Sequence, residues 1–301
     1  HVFLAGNGLP GRWAGCDDFV IAETGFGLGN NFLATWAAWR ADPQRCARLD
    51  FVSVELHPPT RADLAAWQRD AALAPLAAEL AAQWPALTHN LPRLSFEDGR
   101  VRLHLAFGDV ACWVPEWVAG VDAFFLDGFA PARNPQMWDP RLFKAIARLA
   151  RPGATATTWS AAHSVRDGLQ AAGFTVNKAP GQGGKRDITV ARFEPAATRR
   201  ATPPGRPRAR SRPSRAIVVG GGLAGCACAW AMAEQGWRTT IIDRHDEPAL
   251  EGSGNPAGLF HGVAMRHDGT HARWLRAAAL AFEPVARAAV SNGVPGSVDG
   301  L

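Results

Sequence analysis

Before residue 195, short apolar runs rich in β-branched and aromatic residues alternate with longer stretches of helical spacing. The runs F-V-I-A-E at 19–23, F-V-S-V-E at 51–55, 101–107, 122–127 and A-T-A-T-T-W-S at 154–160 predict strands. Between them the pattern predicts helices from about Asn31, from about Thr60, over 139–150 and over 161–172. Such alternation predicts an α/β fold with a mostly parallel sheet. The runs F-T-V-N at 174–177 and D-I-T-V-A-R-F at 187–193 flank a Gly-rich loop, which predicts a terminal antiparallel hairpin. Asp98-Gly99 predicts a second, local hairpin.

Residues 195–215 break the pattern. They hold five Pro, seven Arg, no acid and no large apolar side chain, so they cannot repay ordering entropy and predict a disordered linker. Beyond it, A-I-V-V-G-G-G-L-A-G-C-A-C-A-W passes from a strand through Gly220, Gly222 and Gly225 into a helix. The strand T-T-I-I-D follows and ends in Asp243, the spacing of a dinucleotide fingerprint. Three segments are therefore expected: a domain at 1–194, the linker at 195–215, and the first part of a second Rossmann domain at 216–301. His1 stands where an initiator Met would, and S-V-D-G-L ends the chain without a closing pattern. A piece of a longer protein is expected, its second domain truncated.

The net charge of +5 suggests nucleic acid until it is located. Without the linker's seven Arg, 25 basic side chains face 27 acidic ones, so the basicity belongs to one stretch that attracts phosphate or is simply solvated. Arg outnumbers Lys 29 to 3 throughout, so the choice of Arg there follows chain-wide usage. Five Cys, at 16, 46, 112, 226 and 228, form no C-x-x-C pair and support neither zinc nor a disulfide framework. Cys226 and Cys228 read as small packing residues of the second domain's helix. No metal site is expected. The uncharged run 216–233 is interrupted by Gly220, Gly221 and Gly222 and reads as strand, turn and helix rather than as a membrane span.

The first strand ends in E-T-G-F-G-L-G, where Gly25, Gly27 and Gly29 let backbone approach a ligand; the bland alternative is a tight turn. Glu55 ends the second strand, where a carboxylate can accept from both ribose hydroxyls or simply face solvent. Glu23 favours a cationic, amino-acid-bearing ligand such as S-adenosylmethionine over a pyrophosphate, which an acid would repel. Asp109 is placed to receive an adenine amine or, equally, to cap a helix. In D-A-F-F-L-D-G-F-A-P-A-R-N-P-Q-M-W at 122–138, an apolar strand ends at Asp127 before a rigid aromatic loop. That is a substrate platform, or a capped loop whose Phe129 and Trp138 pack onto the core.

Four ordered motifs carry a resemblance: F-L-A-G-N-G-L-P-G-R-W at 3–13, E-T-G-F-G-L-G-N-N-F at 23–32, L-D-G-F-A-P-A-R-N-P-Q-M-W at 126–138 and G-G-K-R-D at 183–187. From residue 2 to about 270, apart from the linker, the chain resembles the bifunctional tRNA 5-methylaminomethyl-2-thiouridine biosynthesis proteins. Asn30 and Arg133 are small departures, from an apolar residue and a Lys. The resemblance implies a Rossmann-like S-adenosylmethionine methyltransferase followed by the start of an FAD-dependent oxidoreductase, both cytoplasmic and acting on tRNA. It implies methylation of the 5-aminomethyl amine of the wobble uridine, with the oxidoreductase of the whole protein removing a carboxymethyl group to yield that amine. Asp127 is then the catalytic residue, and Glu23, Gly25, Gly27, Gly29, Asn31, Glu55 and Asp109 hold S-adenosylmethionine. Phe129, Pro131, Asn134, Trp138, Lys185 and Arg186 meet the substrate. Gly220, Gly222, Gly225, Asp243 and Asn255 hold FAD, as G-S-G-N-P-A-G-L at 252–259 also suggests. Two other readings stand beside this one: a small-molecule amine methyltransferase fused to an amine oxidase, and a tRNA-binding scaffold with decayed sites.

Overall fold

The computed structural model describes residues 2–67, 70–88, 90–128, 130–181, 186–195, 214–255, 258–263, 265 and 269–298. Two compact units result, one of residues 1–199 with 262–301, the other of residues 200–261. Most of the expected linker, residues 196–213, lies outside the described residues.

The large unit opens with the short helix α1 (Val2–Gly6), then strand β1 (Asp18–Thr24), helix α2 (Asn30–Ala41) and strand β2 (Arg48–Glu55). Helices α3 (Arg61–Ala66) and α4 (Ala74–Ala82) lead to β3 (Arg93–Phe96) and β4 (Val101–Phe107). Then follow α5 (Val110–Trp113), β5 (Val121–Leu126), α6 (Pro140–Leu149), β6 (Ala150–Thr158), α7 (His163–Ala171), β7 (Phe174–Pro180) and β8 (Asp187–Phe193). One eight-stranded sheet forms in the order β3-β4-β2-β1-β5-β6-β8-β7. The central strands are parallel, whereas β3 and β8 run antiparallel to their neighbours in the interior of the sheet.

Alternation along the strands divides the core in two. Phe19 and Ile21 of β1, Phe51 of β2 and Phe125 of β5 join Phe32, Trp36 and Trp39 of α2 in one cluster. Ala22, Val54, Phe124 and Leu126 join Leu142, Phe143 and Ile146 of α6 in the other. The period of two decides which residue faces which helix layer. Thr60 begins α3 with a capping box, accepting from Asp63 N while the Asp63 carboxylate accepts from Thr60 N.

The chain turns between β3 and β4 at Glu97, Asp98 and Gly99, all at positive φ, as the Asp98-Gly99 pair predicts. β3 itself carries no separate sequence signal, because four residues of mixed polarity read as loop until paired with β4. It makes the eighth strand.

The small unit contains β9 (Arg215–Val219), α8 (Leu223–Glu234) and β10 (Arg238–Ile242), with β9 and β10 parallel. The apolar side chains of Ile217, Val219, Ile241 and Ile242 are exposed. Cys226 is half-buried, but Cys228 is exposed, so only the first fits the packing role expected of both. Helix α9 (Thr270–Ser291) was not foreseen from the pattern and groups with the large unit, where Arg273 lies over the Trp113 ring and pairs with Glu116.

Candidate functional site

The central strands deliver their last residues to one edge of the sheet. β1 is flanked by β2 and β5, and the strand order reverses between β1 and β5, the usual position of a ligand crevice in an open α/β sheet. Glu23 and Gly25 come from β1 and its loop, Glu55 from β2, Asp109 from the turn after β4, and Asp127 from the end of β5.

The glycine loop is built for close approach. Gly25 has φ +86°, and a Cβ there would lie 3.2 Å from the Asp127 carbonyl oxygen. Gly27 has φ +55°, and a Cβ there would meet nothing within 4 Å, so its backbone faces open space. Glu55 fastens this loop. Its Oε2 accepts from Gly27 N at 2.7 Å and its Oε1 from His57 N at 2.8 Å. Each oxygen keeps a further lone pair for a diol.

Asn31, near the start of α2, joins two carboxyl groups. Its Nδ2 donates to Glu23 Oε1 at 2.8 Å and to Asp127 Oδ2 at 2.9 Å. Ser53 Oγ donates to Glu23 Oε2 at 2.7 Å, and Gly128 N donates to Asp127 Oδ1 at 2.9 Å. Glu23 is 1% exposed, and burial raises its carboxyl to about 8 against the opposing bonds from Ser53 and Asn31. It is closed to solvent and bonded to Asn31 and Ser53. Asp127, half-buried, is also raised by burial, while Asn31 and Gly128 pull it back down. Ser53 had no sequence signal beyond a polar residue inside an apolar strand.

Other expected residues fall differently. Asp109 caps α5, its Oδ1 accepting from Ala111 N at 2.8 Å, as its position before that helix predicts. Trp138 is 9% exposed and packs its ring against Phe143, so it belongs to the core beneath the loop. Pro131 and Asn134 are half-buried on that loop, and Asn134 N donates to Ala130 O. Arg186 is exposed at the β7–β8 turn. Phe129 and Lys185 lie outside the described residues.

In the small unit, a Cβ on Gly225 would run into the Gly220 carbonyl, so only glycine lets helix and strand pack there. Asp243 Oδ2 accepts from Gly221 N at 2.6 Å and Oδ1 from His245 N at 2.9 Å, and these bonds hold its carboxyl below the usual range. Gly220, Gly222 and Asp243 line one concavity with Ser253. Asn255 is exposed and donates to Gly252 O at 3.2 Å.

Among the described residues no group of three or more His, Cys, Asp or Glu is placed to hold a metal, and no helix is long and apolar enough to cross a membrane.

The sheet, the glycine loop and the strand-end acids define a Rossmann-like methyltransferase fold. A family described as S-adenosyl-L-methionine-dependent methyltransferase matches residues 71–194, and one described as FAD dependent oxidoreductase matches residues 215–294. S-adenosylmethionine and FAD are the cofactors that these family descriptions name. The chain is similar to proteins named tRNA 5-methylaminomethyl-2-thiouridine biosynthesis bifunctional protein. It is 61% identical over 294 residues to the one from Methylibium petroleiphilum, covering 97% of this chain and 45% of that relative. It is 54% identical over 284 residues to that of Cupriavidus metallidurans, covering 93% and 42%. The chain thus spans less than half the length of these relatives. A crystal structure of MnmC2 from Aquifex aeolicus has the same fold, with a TM-score of 0.53 at 22% identity over 65% of this chain and 59% of that one.

Proposed function

We propose that the large unit methylates a primary amine on tRNA, the 5-aminomethyl group of the wobble 2-thiouridine, with S-adenosylmethionine as donor. The observation that carries this reading is the bond from Asn31 to Asp127 beside a glycine loop that Glu55 holds open. The donor set suits the cofactor: Glu55 can accept from a ribose diol, the Gly27 backbone leaves space for it, and acids suit a cationic ligand. When bound, the cofactor supplies an activated methyl group.

The residues of the chain do the rest. An alkyl ammonium has pKa about 10.4, so its neutral form, which alone has a lone pair, is scarce at pH 7. Asp127 on its own favours the ammonium, so its part is to orient the amine and to stabilise positive charge as it arrives on nitrogen. A strong-base role fits a carboxylate poorly. Burial raises Glu23 to about 8, so it holds its proton more tightly than an ordinary carboxyl, while Asp127, also raised by burial, is pulled back down by the donors Asn31 and Gly128. In this reading Pro131 and Asn134 meet the substrate, and Arg186, exposed at the β7–β8 turn, contacts tRNA phosphate.

For the whole protein we place an oxidoreductase step in the second domain, with Gly220, Gly222, Gly225, Asp243 and Asn255 at the FAD site. A tRNA substrate and five free cysteines support work in the cytoplasm. The test is mass spectrometry of tRNA nucleosides after incubation with isotope-labelled S-adenosylmethionine. Label on the methylaminomethyl nucleoside is the expected result, and label on small amines alone would overturn the substrate assignment.

A further inference from the structure

The register of the sheet lines up five residues along its carboxyl edge. Phe107 of β4 pairs with Glu55 of β2. Thr24 pairs with both Val54 and Leu126, so the next residue, Gly25, stands between Glu55 and Asp127. On the other flank, the chain before β3 continues the antiparallel ladder: Leu105 N donates to Pro92 O at 2.9 Å and Phe107 N to Asn90 O at 3.0 Å. The row therefore runs Asn90, Phe107, Glu55, Gly25, Asp127. Partners opposite in register share a face, and Phe107 lies in the α2-side core with Leu103 and Leu105. Strands lie about 4.8 Å apart, which puts Asn90 about 10 Å from Glu55 on the side away from Asp127.

Asn90 has an unusual surrounding. It is 1% exposed, and among the described residues neither its Nδ2 nor its Oδ1 has a hydrogen-bond partner. Buried amides are almost always bonded, so one left open at the end of a ligand-binding row points to a ligand. With the amino-acid part of the cofactor near Asn31 and Asp127 and the ribose at Glu55, the base extends toward Asn90.

We propose that Asn90 recognises the adenine, an inference that rests on the S-adenosylmethionine reading above. Its Oδ1 accepts from the exocyclic amine and its Nδ2 donates to the adjacent ring nitrogen, the paired contact by which Asn distinguishes adenine from other bases. The amide is closed to solvent, so the base displaces what covers it and supplies the two bonds it lacks.

The experiment is calorimetry of S-adenosylhomocysteine and its 6-oxo counterpart, S-inosylhomocysteine, on the wild-type chain and on Asn90→Leu. The wild type is expected to prefer the 6-amino compound by about 10- to 100-fold, and Asn90→Leu to lose most of that preference. Equal weakening for both compounds would reduce Asn90 to a structural residue and overturn the proposal, as would a wild type without preference. Failure of the wild type to bind either compound would overturn the cofactor reading itself, and this inference with it. If Asn90→Leu does not fold, the near-isosteric Asn90→Asp serves, because it loses the donor and must change the ratio of the two affinities. An unchanged ratio in that variant would sink the assignment.

Discussion

Asn31 and Asp127, 96 residues apart, are joined by a 2.9 Å bond from the side-chain amide to the carboxylate. The other hydrogen of the same nitrogen goes to Glu23, so the amide cannot turn without losing both bonds. Asn31→Asp replaces that donor by a third acid. Single-turnover methylation is expected to fall by about 10- to 100-fold, the scale of one hydrogen bond to a charged group. Wild-type turnover in the folded variant would remove Asn31 from the machinery.

Asp127→Asn keeps shape and hydrogen-bonding capacity but loses charge. If the carboxylate acts on charge arriving at the attacking nitrogen, turnover falls on the order of 100-fold or more while cofactor affinity changes little. The check is single-turnover methylation at saturating cofactor, with calorimetry alongside. An equal loss in binding would recast Asp127 as a cofactor ligand.

Glu55→Ala removes the acceptor for two backbone amides, Gly27 N and His57 N, as well as the partner offered to the ribose. Calorimetry is expected to show about 10-fold or greater weakening of S-adenosylmethionine binding, with the domain still folded by circular dichroism. Undiminished affinity would take Glu55 out of the site.

The pH dependence of stability follows from Glu23. Its folded value of about 8 lies above its ordinary value of 4.5, so the folded chain holds a proton that the unfolded chain releases between those values. The stability this contributes is complete below about pH 4.5 and is lost as the pH rises through about 8. The full span is at most on the order of 5 kcal/mol at 1.36 per unit. Glu23→Gln keeps the neutral shape and should flatten that decline in urea midpoints from pH 5 to 9. An identical slope in the variant would show that Glu23 is ionised throughout.

The seven Arg of residues 199–215 offer a test of tRNA steering. Replacing them with Ser is expected to lower tRNA affinity and flatten its salt dependence, because each phosphate contact releases counterions. Methylation of the isolated modified nucleoside should stay constant. A salt slope equal to that of wild type would identify the stretch as a tether.

Much of the site was legible because strand ends and glycine loops are local features. The acids at 23, 55, 109 and 127 and the glycines at 25, 27 and 29 each follow or end an apolar run, so position in the chain gave their position at the sheet's edge. Residues whose role depends on a neighbour from elsewhere were not legible. Trp138 reads in sequence either as part of a substrate platform or as packing onto the core, and only its place beside Phe143 decides between them. Ser53 is an ordinary serine until Glu23 is beside it.

By itself the sequence determined the α/β class, the two glycine fingerprints and the order of every strand but β3 along the chain, because periodicity and turn chemistry act over a few residues. Only the tertiary structure decided which acids reach the crevice. β1 and β5 lie side by side although about a hundred residues separate them, and their pairing brings Glu23, Asn31 and Asp127 within one amide's reach. It also divides the surroundings of the two carboxyls: Glu23 is buried and raised to about 8, whereas Asp127 is half-buried and pulled back down by Asn31 and Gly128. Such a division depends on what surrounds each group in three dimensions, and spacing along the chain does not encode it.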